Sequence, residues 1–583
     1  MGAFLLVRRG ENGNAAHRLA LARRSLERQG FVSARHVRMP SCDLFVYPKL
    51  DAPATNLHQA DDGTFLAATG TLIYREKSGV TALRLLAADL GADAIDWSAL
   101  YGHYCILASA GDGVRLFTDS LGVYHVFHDR GLDVISSSFL AVLESLPRAT
   151  LAPQSVYEYV FQEATYGGAT LVDEIALFDC RDEAILGSTC TRRAVRGRPD
   201  PALPGVIDRQ PPTLDDLLAH NLANLRRSYQ AIARAFGDRI DTALSGGYDS
   251  RLVLALLREQ GVKPRVHVYG RDTDPDVQIA KRIAAGEGFP LVHSDKSRRI
   301  EPPTADAVAE LVRRNLDAFH GAPADGVFDD GSDLATRRDR CASGELMLNG
   351  GGGEIFRNFF YLPDRSFQAR DIVFAFYSQF DPRAMRGRYR ASDYQAGVEA
   401  KLLTTLGRTT RALSRSDVER IYPTFRCRFW MGRNNSINNR LGAALTPFID
   451  PNIVPGALSI PIALKNAGRF EAALIQAVDP RLAAYPSAYG HDFAHPPPFR
   501  RLLAERVTML RPCWVRRHTF RLKWRQPAQR PLMLSDAILG QAIDPAFPVM
   551  SAFFDPARIY ENGQYNRLCT LELLSKTFGL RVA

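Results

Sequence analysis

The stretch DTALSGGYDSRLVLALL, Asp241 to Leu257, limits the fold more than any other part of the chain. A short apolar run ends in a Ser-Gly-Gly turn, and a helix with apolar periodicity starts at Asp249. Helix N-termini carry unpaired N–H groups and the positive end of the peptide dipole, so they attract anions. Glycine lets the backbone come close to a bound group, and serine hydroxyls add donors. Phosphate or pyrophosphate is the expected ligand. The Asp249 carboxylate then needs a divalent cation between itself and the anion, which points to a nucleotide with Mg²⁺. A bare SGG would read as an ordinary strand–helix turn capped by serine and aspartate. The complete SGGYDS, between an apolar strand and an apolar helix, favours the phosphate reading.

The surroundings support it. From Thr213 the pattern runs helix Leu214–Phe236, strand Ile240–Leu244, the helix from Asp249, strand Arg265–Tyr269, helix Asp276–Gly286, strand Phe289–His293, helix Ala305–Phe319 and strand Leu346–Leu348. Strands alternating with helices predict a parallel sheet, with ligands beyond the carboxyl ends of the strands. SGGYDS lies at one such end and NGGGGEIFR, Asn349 to Arg357, at another. The candidate nucleotide-binding residues are Leu244, Ser245, Gly246, Gly247, Asp249, Ser250, Gly350, Gly351 and Gly352. Neither loop fits the Walker A or Rossmann pattern. Asp276 is expected to cap its own helix. Residues from about 367 onward read as helical, without internal repeats.

Residues 1 to about 150 carry short β-branched or aromatic runs: Phe4–Val7, Leu44–Val46, Phe65–Tyr74, Tyr104–Ala108, Val114–Thr118, Val123–His128 and Asp133–Ser137. Helical spacing appears near Leu83–Leu90 and Ser138–Leu146. Two stacked antiparallel sheets with helices outside are predicted. Residues 192–213, rich in Arg and Pro, read as a linker.

Hydrophobic residues make up 46% of the 583 and charged residues 23%, a globular composition with ample core. No apolar run approaches the roughly 20 residues of a membrane span, Ala3–Val7 is too short for a signal peptide, and Leu6 breaks the myristoylation pattern after Gly2. Eight cysteines form no CxxC and HExxH is absent, which suits a reducing cytoplasm. Net charge is +10, and the excess is partly local: Arg501 to Arg530 holds nine Lys or Arg against Glu505 alone, with Trp514 and Trp524 among them. Such a segment is suited to RNA, a lipid surface or a peptide, or is simply a solvated arginine-rich helix.

LSGGYDS resembles the SGGxDS pyrophosphate loop of ATP pyrophosphatases, and its context resembles glutamine-hydrolysing asparagine synthetases. LYGHYCILASAGDGVRLFTDSLGVYHVFHD with VISSSFLAVLESL, then LNGGGGEIFR, then TPFIDPNIVPGALSIPIALK, Thr446 to Lys465, are similar to successive segments of that family. The resemblance implies an Ntn-hydrolase-like αββα glutaminase-type domain over 1–190 and a linker over 191–212. Residues 213–583 would form a PP-loop ATP pyrophosphatase domain (adenine nucleotide α-hydrolase-like) with a basic helical extension. It also implies the chemistry of an AMP-forming carbon–nitrogen ligase with ATP and Mg²⁺ as cofactors. A small-molecule or peptide carboxylate attacks the α-phosphate, and an amine, ammonia or one within the substrate, displaces AMP. Ser245, Gly246, Gly247 and Ser250 would hold pyrophosphate, Asp249 and Glu354 the metal, and Arg357 would neutralise phosphate charge. Nucleic acid is not an expected partner.

The departures from that family are equally specific. Its glutaminase begins Met-Cys, where this chain has Met1-Gly2, and its NGEIY stands here as Thr69 to Tyr74 without the Asn. Cys42 would become N-terminal only through processing that removes a strand. The glutaminase fold is therefore expected without its reaction. The metal-binding Asp of the second loop falls at Gly353, and the acid before it near Gly350. The late catalytic Lys corresponds to YPSAYGHDF, Tyr485 to Phe493, which has none; His491 or Asp492 would assist proton transfer there, or serve structure alone. Relatives without the N-terminal cysteine include β-lactam synthetases and lasso-peptide macrocyclases, whose amine lies in the substrate itself. The competing readings are a non-catalytic nucleotide-binding protein and a tRNA-modifying enzyme with the same loop.

Overall fold

The computed structural model describes residues 2–9, 14–52, 56–205, 212–295, 305–342 and 344–582. Residues 206–211 of the expected linker, and Met1, lie outside them. The architecture is mixed α/β, with two antiparallel sheets in the N-terminal half and a parallel sheet after them.

The strand Ala3–Arg8 shows why the N-terminal half is layered. Its side chains alternate, and both faces are buried. Phe4 and Leu6 join the core between the two sheets, while Ala3, Leu5 and Val7 pack with Ala22 and Leu26 of the helix Ala15–Arg28. The first sheet runs, in spatial order, Ile175–Leu177, Phe127–Asp129, Val134–Ser136, Ala3–Arg8, Cys42–Tyr47, Arg35–Arg38. The second runs Cys190–Ala194, Asp182–Leu186, Gly113–Thr118, Leu100–Ala110, Phe65–Tyr74, Leu57–Gln59, and so continues past residue 190. Helices Ala15–Arg28 and Phe139–Glu144 cover the first sheet and Gly79–Gly91 the second. The predicted stacked pair of sheets is present, but Val123–His128 forms a strand only at its end, Phe127–Asp129. The helix Ala15–Arg28 escaped the periodicity reading because only Ala22, Ser25 and Leu26 are buried in an arginine-rich surround. Gly70, in the segment resembling NGEIY, has φ +92°, and a Cβ there would lie 2.1 Å from the His103 carbonyl.

The parallel sheet runs Leu291–Ser294, Arg265–Tyr269, Ile240–Ala243, Leu346–Leu348, Ala443–Leu445. The chain enters at the centre, builds outward to one side, then returns to add two strands on the other. The order reverses between Ile240–Ala243 and Leu346–Leu348, and ligands bind at such switch points in open α/β sheets. The fifth strand corrects the expectation that everything beyond 367 is helical. So does the small pair Phe367–Gln368 with Ala412–Leu413. The rest of that region is helical and includes a π-helical stretch, Tyr422–Met431.

The two halves meet through polar contacts around helix Gly432–Leu441. The buried Lys49 ammonium donates to the Asn439 carbonyl, the Asn439 side chain and the Gly442 carbonyl at 2.8, 3.1 and 2.8 Å. Thr71 also donates to Asn439 Oδ1 at 2.6 Å.

Candidate nucleotide site at the switch point of the parallel sheet

The two glycine-rich loops leave adjacent strands and touch. A Cβ on Gly350 would lie 3.2 Å from the Asp249 carbonyl carbon and from the Ser250 nitrogen, and one on Gly353 would lie 2.2 Å from Asp249 Oδ1. Gly351 faces Met431, and Gly352, at φ +90°, faces Ile449. Gly350 and Gly353 are thus pressed against the N-terminus of the helix Tyr248–Glu259, while Gly352 is required by its left-handed backbone.

Within the first loop the hydroxyls and amides are engaged with one another. The Ser245 N–H donates to Ser250 Oγ at 3.0 Å, the two hydroxyls are 2.9 Å apart, and the Gly247 N–H donates to Ser245 Oγ at 3.2 Å. The Leu244 side chain is turned away into the core beside Val266 and Leu254. Asp276 corrects the expectation of a helix cap. The residue at the cap of helix Pro275–Glu287 is Asp274, and Asp276 instead accepts the Gly246 N–H at 2.8 Å.

Three carboxylates surround one guanidinium. Arg357 Nη2 is 2.8 Å from both oxygens of Asp249 and 3.6 Å from Glu354 Oε1, and its Nε is 2.9 Å from Glu471 Oε2. The last contact is an ion pair by distance, and Glu471, when protonated, has Asp249 as its hydrogen-bond acceptor. Glu471, fully buried at the start of helix Arg469–Val478, was missed by the sequence reading. Its signal was a carboxylate on the same helix face as the core residues Leu474 and Ile475. Burial, then the neighbouring Asp249 charge, pushes the Glu471 carboxyl well above the ordinary range. Burial also pushes Asp249 up to about 6, against the pull of Arg357 and with the push of Glu354. Glu354 is held by the Tyr422 hydroxyl, which donates to Oε2 at 2.6 Å.

The segment Tyr485–Phe493 lies directly over this loop. The Ala488 N–H donates to the Gly246 carbonyl at 3.0 Å, and Arg357 donates to the Tyr489 hydroxyl at 3.2 Å. Arg251, buried and also missed by the sequence reading, pins the segment by donating to the carbonyls of Leu482, Tyr485 and Pro486 at 3.2, 2.8 and 2.8 Å. His491 Nε2 is 3.4 Å from the Tyr248 hydroxyl, and burial lowers its basicity. Asp492 is occupied by the backbone of Ala494 and His495, as a turn residue would be.

A cleft of about 390 Å³ opens beside Glu354 and Arg357, walled by Phe359, Phe360, Tyr361 and Phe376. Thr508, Arg511 and Arg516 of the basic C-terminal region join its lining. Arg516 donates to the carbonyls of Phe360 and Tyr361 at 2.9 and 2.6 Å, which holds Tyr361 at φ +49°. Cys42 lies buried in its strand, where burial pushes the thiol up to about 11.

The sequence matches no family model and no curated protein. Among solved structures, it is similar to a glutamine phosphoribosylpyrophosphate amidotransferase from B. subtilis complexed with ADP and GMP. The identity is 13%, 52% of this chain and 69% of that one are covered, and the TM-score is 0.23. A structure described as the allosteric regulatory enzyme of purine biosynthesis gives 12% identity, 52% and 82% coverage, and a TM-score of 0.25. Likenesses this loose say nothing of activity. No helix among the described residues is long and apolar enough to cross a membrane.

Proposed function

We propose that the chain is an ATP-dependent, AMP-forming amide ligase of asparagine-synthetase type. The observation that carries this reading is the convergence of Asp249 and Glu354, from loops after adjacent parallel strands, on one cationic position held here by Arg357 Nη2. Mg²⁺ is commonly bound by one or two carboxylates together with substrate phosphates, and this donor set fits. Among the described residues no cluster of three or more His, Cys, Asp or Glu could hold a metal by itself. Asp249 and Glu354 would hold the ion, which supplies neutralisation of phosphate charge. The helix N-terminus at Tyr248 and the Ser245 and Ser250 hydroxyls bind pyrophosphate oxygens. Arg357 moves from Asp249 onto phosphate, and the aromatic cleft orients the acyl group against the nucleotide.

Packing at position 2 bears on the amine. A side chain there would come within 2.5 Å of the Pro48 carbonyl and 2.8 Å of the Phe31 ring, leaving no room for a cysteine nucleophile in the present geometry. The amine is therefore free ammonia or a group on the substrate itself, as in an intramolecular cyclase. A second reading, a non-catalytic nucleotide binder, draws on Asp276 and Arg357, which already occupy the Gly246 amide and the Asp249 carboxylate.

Release of AMP and pyrophosphate from Mg-ATP across a panel of carboxylates tests the proposal, from aspartate with ammonia to peptides and amino sugars. Turnover that Asp249→Asn abolishes supports the ligase. Nucleotide binding without turnover on any acid supports the second reading, and absence of binding removes both.

A further inference from the structure

The helix Phe499–Leu510 has no buried residue, yet it is not polar all round. Phe499, Leu503, Val507 and Leu510 are 75, 49, 61 and 70% exposed. At helical spacing the four fall within an arc of about 80°. Trp514, 59% exposed, follows just past Pro512. Arg506 borders this row on one side and Arg500 and Arg511 on the other, and all three are exposed. Among the described residues none of the three pairs with an acid.

The opposite face of the helix is committed to the protein. Glu505 accepts the Ala467 N–H at 2.6 Å, Met509 Sδ is 3.4 Å from Asn358 Nδ2, and Arg501 lies 4.3 Å over the Tyr489 ring. The helix thus lies along the surface, anchored below, with an exposed apolar row and the unpaired Arg500 and Arg506 at its borders, while Arg511, past the helix end, lies between this face and the aromatic cleft.

We propose that this face is a docking surface for an anionic lipid membrane. Bulky apolar side chains on one arc, with arginines along its borders and an exposed indole just beyond the helix end, match the pattern of helices that lie in the plane of a lipid interface. The apolar row would enter the acyl boundary while the arginines meet lipid phosphates. A nucleic acid would engage the arginines but leave the row in water. A protein groove would have to enclose a helix whose inner face is already held. The same segment contributes Thr508, Arg511 and Arg516 to the aromatic cleft, so docking sets that cleft beside the membrane surface. The inference does not depend on the proposed ligase activity.

The test is sedimentation of the full chain with vesicles of mixed phosphatidylglycerol and phosphatidylcholine, and with phosphatidylcholine alone. Binding is expected to the first, at least about tenfold weaker to the second, and weakened by added salt. Trp514 is one of only four tryptophans, so a blue shift in emission on binding is expected as well. Leu510→Ser and Trp514→Ser remove exposed side chains and keep the fold, as circular dichroism would verify. Each is expected to lower partitioning about tenfold. The proposal is overturned if the chain stays in the supernatant, if both vesicle types bind alike, or if neither variant weakens binding. It is equally overturned if the chain proves dimeric and Leu510→Ser makes it monomeric, because a second copy then covers the row.

Discussion

Arg357 Nη2 lies 2.8 Å from each carboxylate oxygen of Asp249, while Nε of the same side chain lies 2.9 Å from Glu471. One cation thus holds together acids from two segments of the chain, and removing it leaves the buried Glu471 beside the part-buried Asp249 with no counter-charge. Arg357→Met is expected to lower stability by about 3 kcal/mol, the scale seen when one partner of a buried pair is deleted. Glu471→Gln in the same chain should return at least about 1 kcal/mol, since neighbouring sites are not additive. Denaturant unfolding of the single and double variants measures both.

The raised carboxyl of Asp249 predicts a pH dependence with a definite sign. In the unfolded chain this acid ionises near pH 4, and in the folded protein near 6, because burial disfavours the anion. Between those values the folded state binds more protons than the unfolded state, so its contribution to stability is complete below about pH 4 and is lost as pH rises through about 6. Glu471, raised in the same direction, extends the loss upward. Relative to Asp249→Asn, wild-type stability is expected to be greatest near pH 4 and to decline toward pH 7. On the proposed role of Asp249 as a Mg²⁺ ligand, which requires the ionised carboxylate, affinity for Mg-nucleotide should rise over the same interval. Parallel denaturant melts and nucleotide titrations separate the two effects, and a flat difference curve would contradict the raised Asp249.

Tyr422→Phe isolates the orientation of Glu354. The phenol donates to Oε2 at 2.6 Å from the start of the π-helical stretch, and burial pushes that phenol well above its ordinary range. Outer partners that orient a metal ligand typically contribute about tenfold in metal affinity. If Glu354 holds Mg²⁺ as proposed, the variant is expected to need about tenfold more Mg²⁺ for nucleotide binding while its affinity for metal-free nucleotide is unchanged. Isothermal titration at several Mg²⁺ concentrations reads this directly.

What the sequence revealed and what it hid divide along contact range. The strands Ile240–Ala243, Arg265–Tyr269 and Leu346–Leu348 were legible as short segments rich in β-branched, aromatic or aliphatic residues between glycine turns and helical spacings. The convergence of the two loops followed from where those strands end. Asp276 could not be placed in this way. In sequence it looks like a first-turn cap, and only the loop 30 residues earlier shows that it takes the Gly246 amide. Glu471 and Arg251 act on partners more than 100 residues away, beyond the reach of any local period. The strand Ala443–Leu445 is only two alanines and a leucine, and its identity comes from pairing with Leu346–Leu348.

Gly353 stands where the resembled family carries a metal-binding aspartate, and the packing predicts what restoring a side chain would do. Its backbone is not left-handed, so alanine is conformationally allowed, and Asp249 supplies the nearest obstacle: a Cβ would lie 2.2, 2.7 and 3.0 Å from its Oδ1, Cγ and Cβ. Gly353→Ala must therefore push Asp249 off Arg357, at a cost of about 1–3 kcal/mol, as for an added methyl in a filled core. Asp249→Gly removes all three of these contacts, so in that background Gly353→Ala should cost clearly less. The double-mutant cycle in denaturant unfolding gives the coupling. Gly353→Asp, the substitution toward the family pattern, meets the same obstacle and adds a further charge to the Asp249–Glu354–Glu471 group. It is expected to weaken Mg-nucleotide binding, and a gain in binding would show that Arg357 yields its place readily.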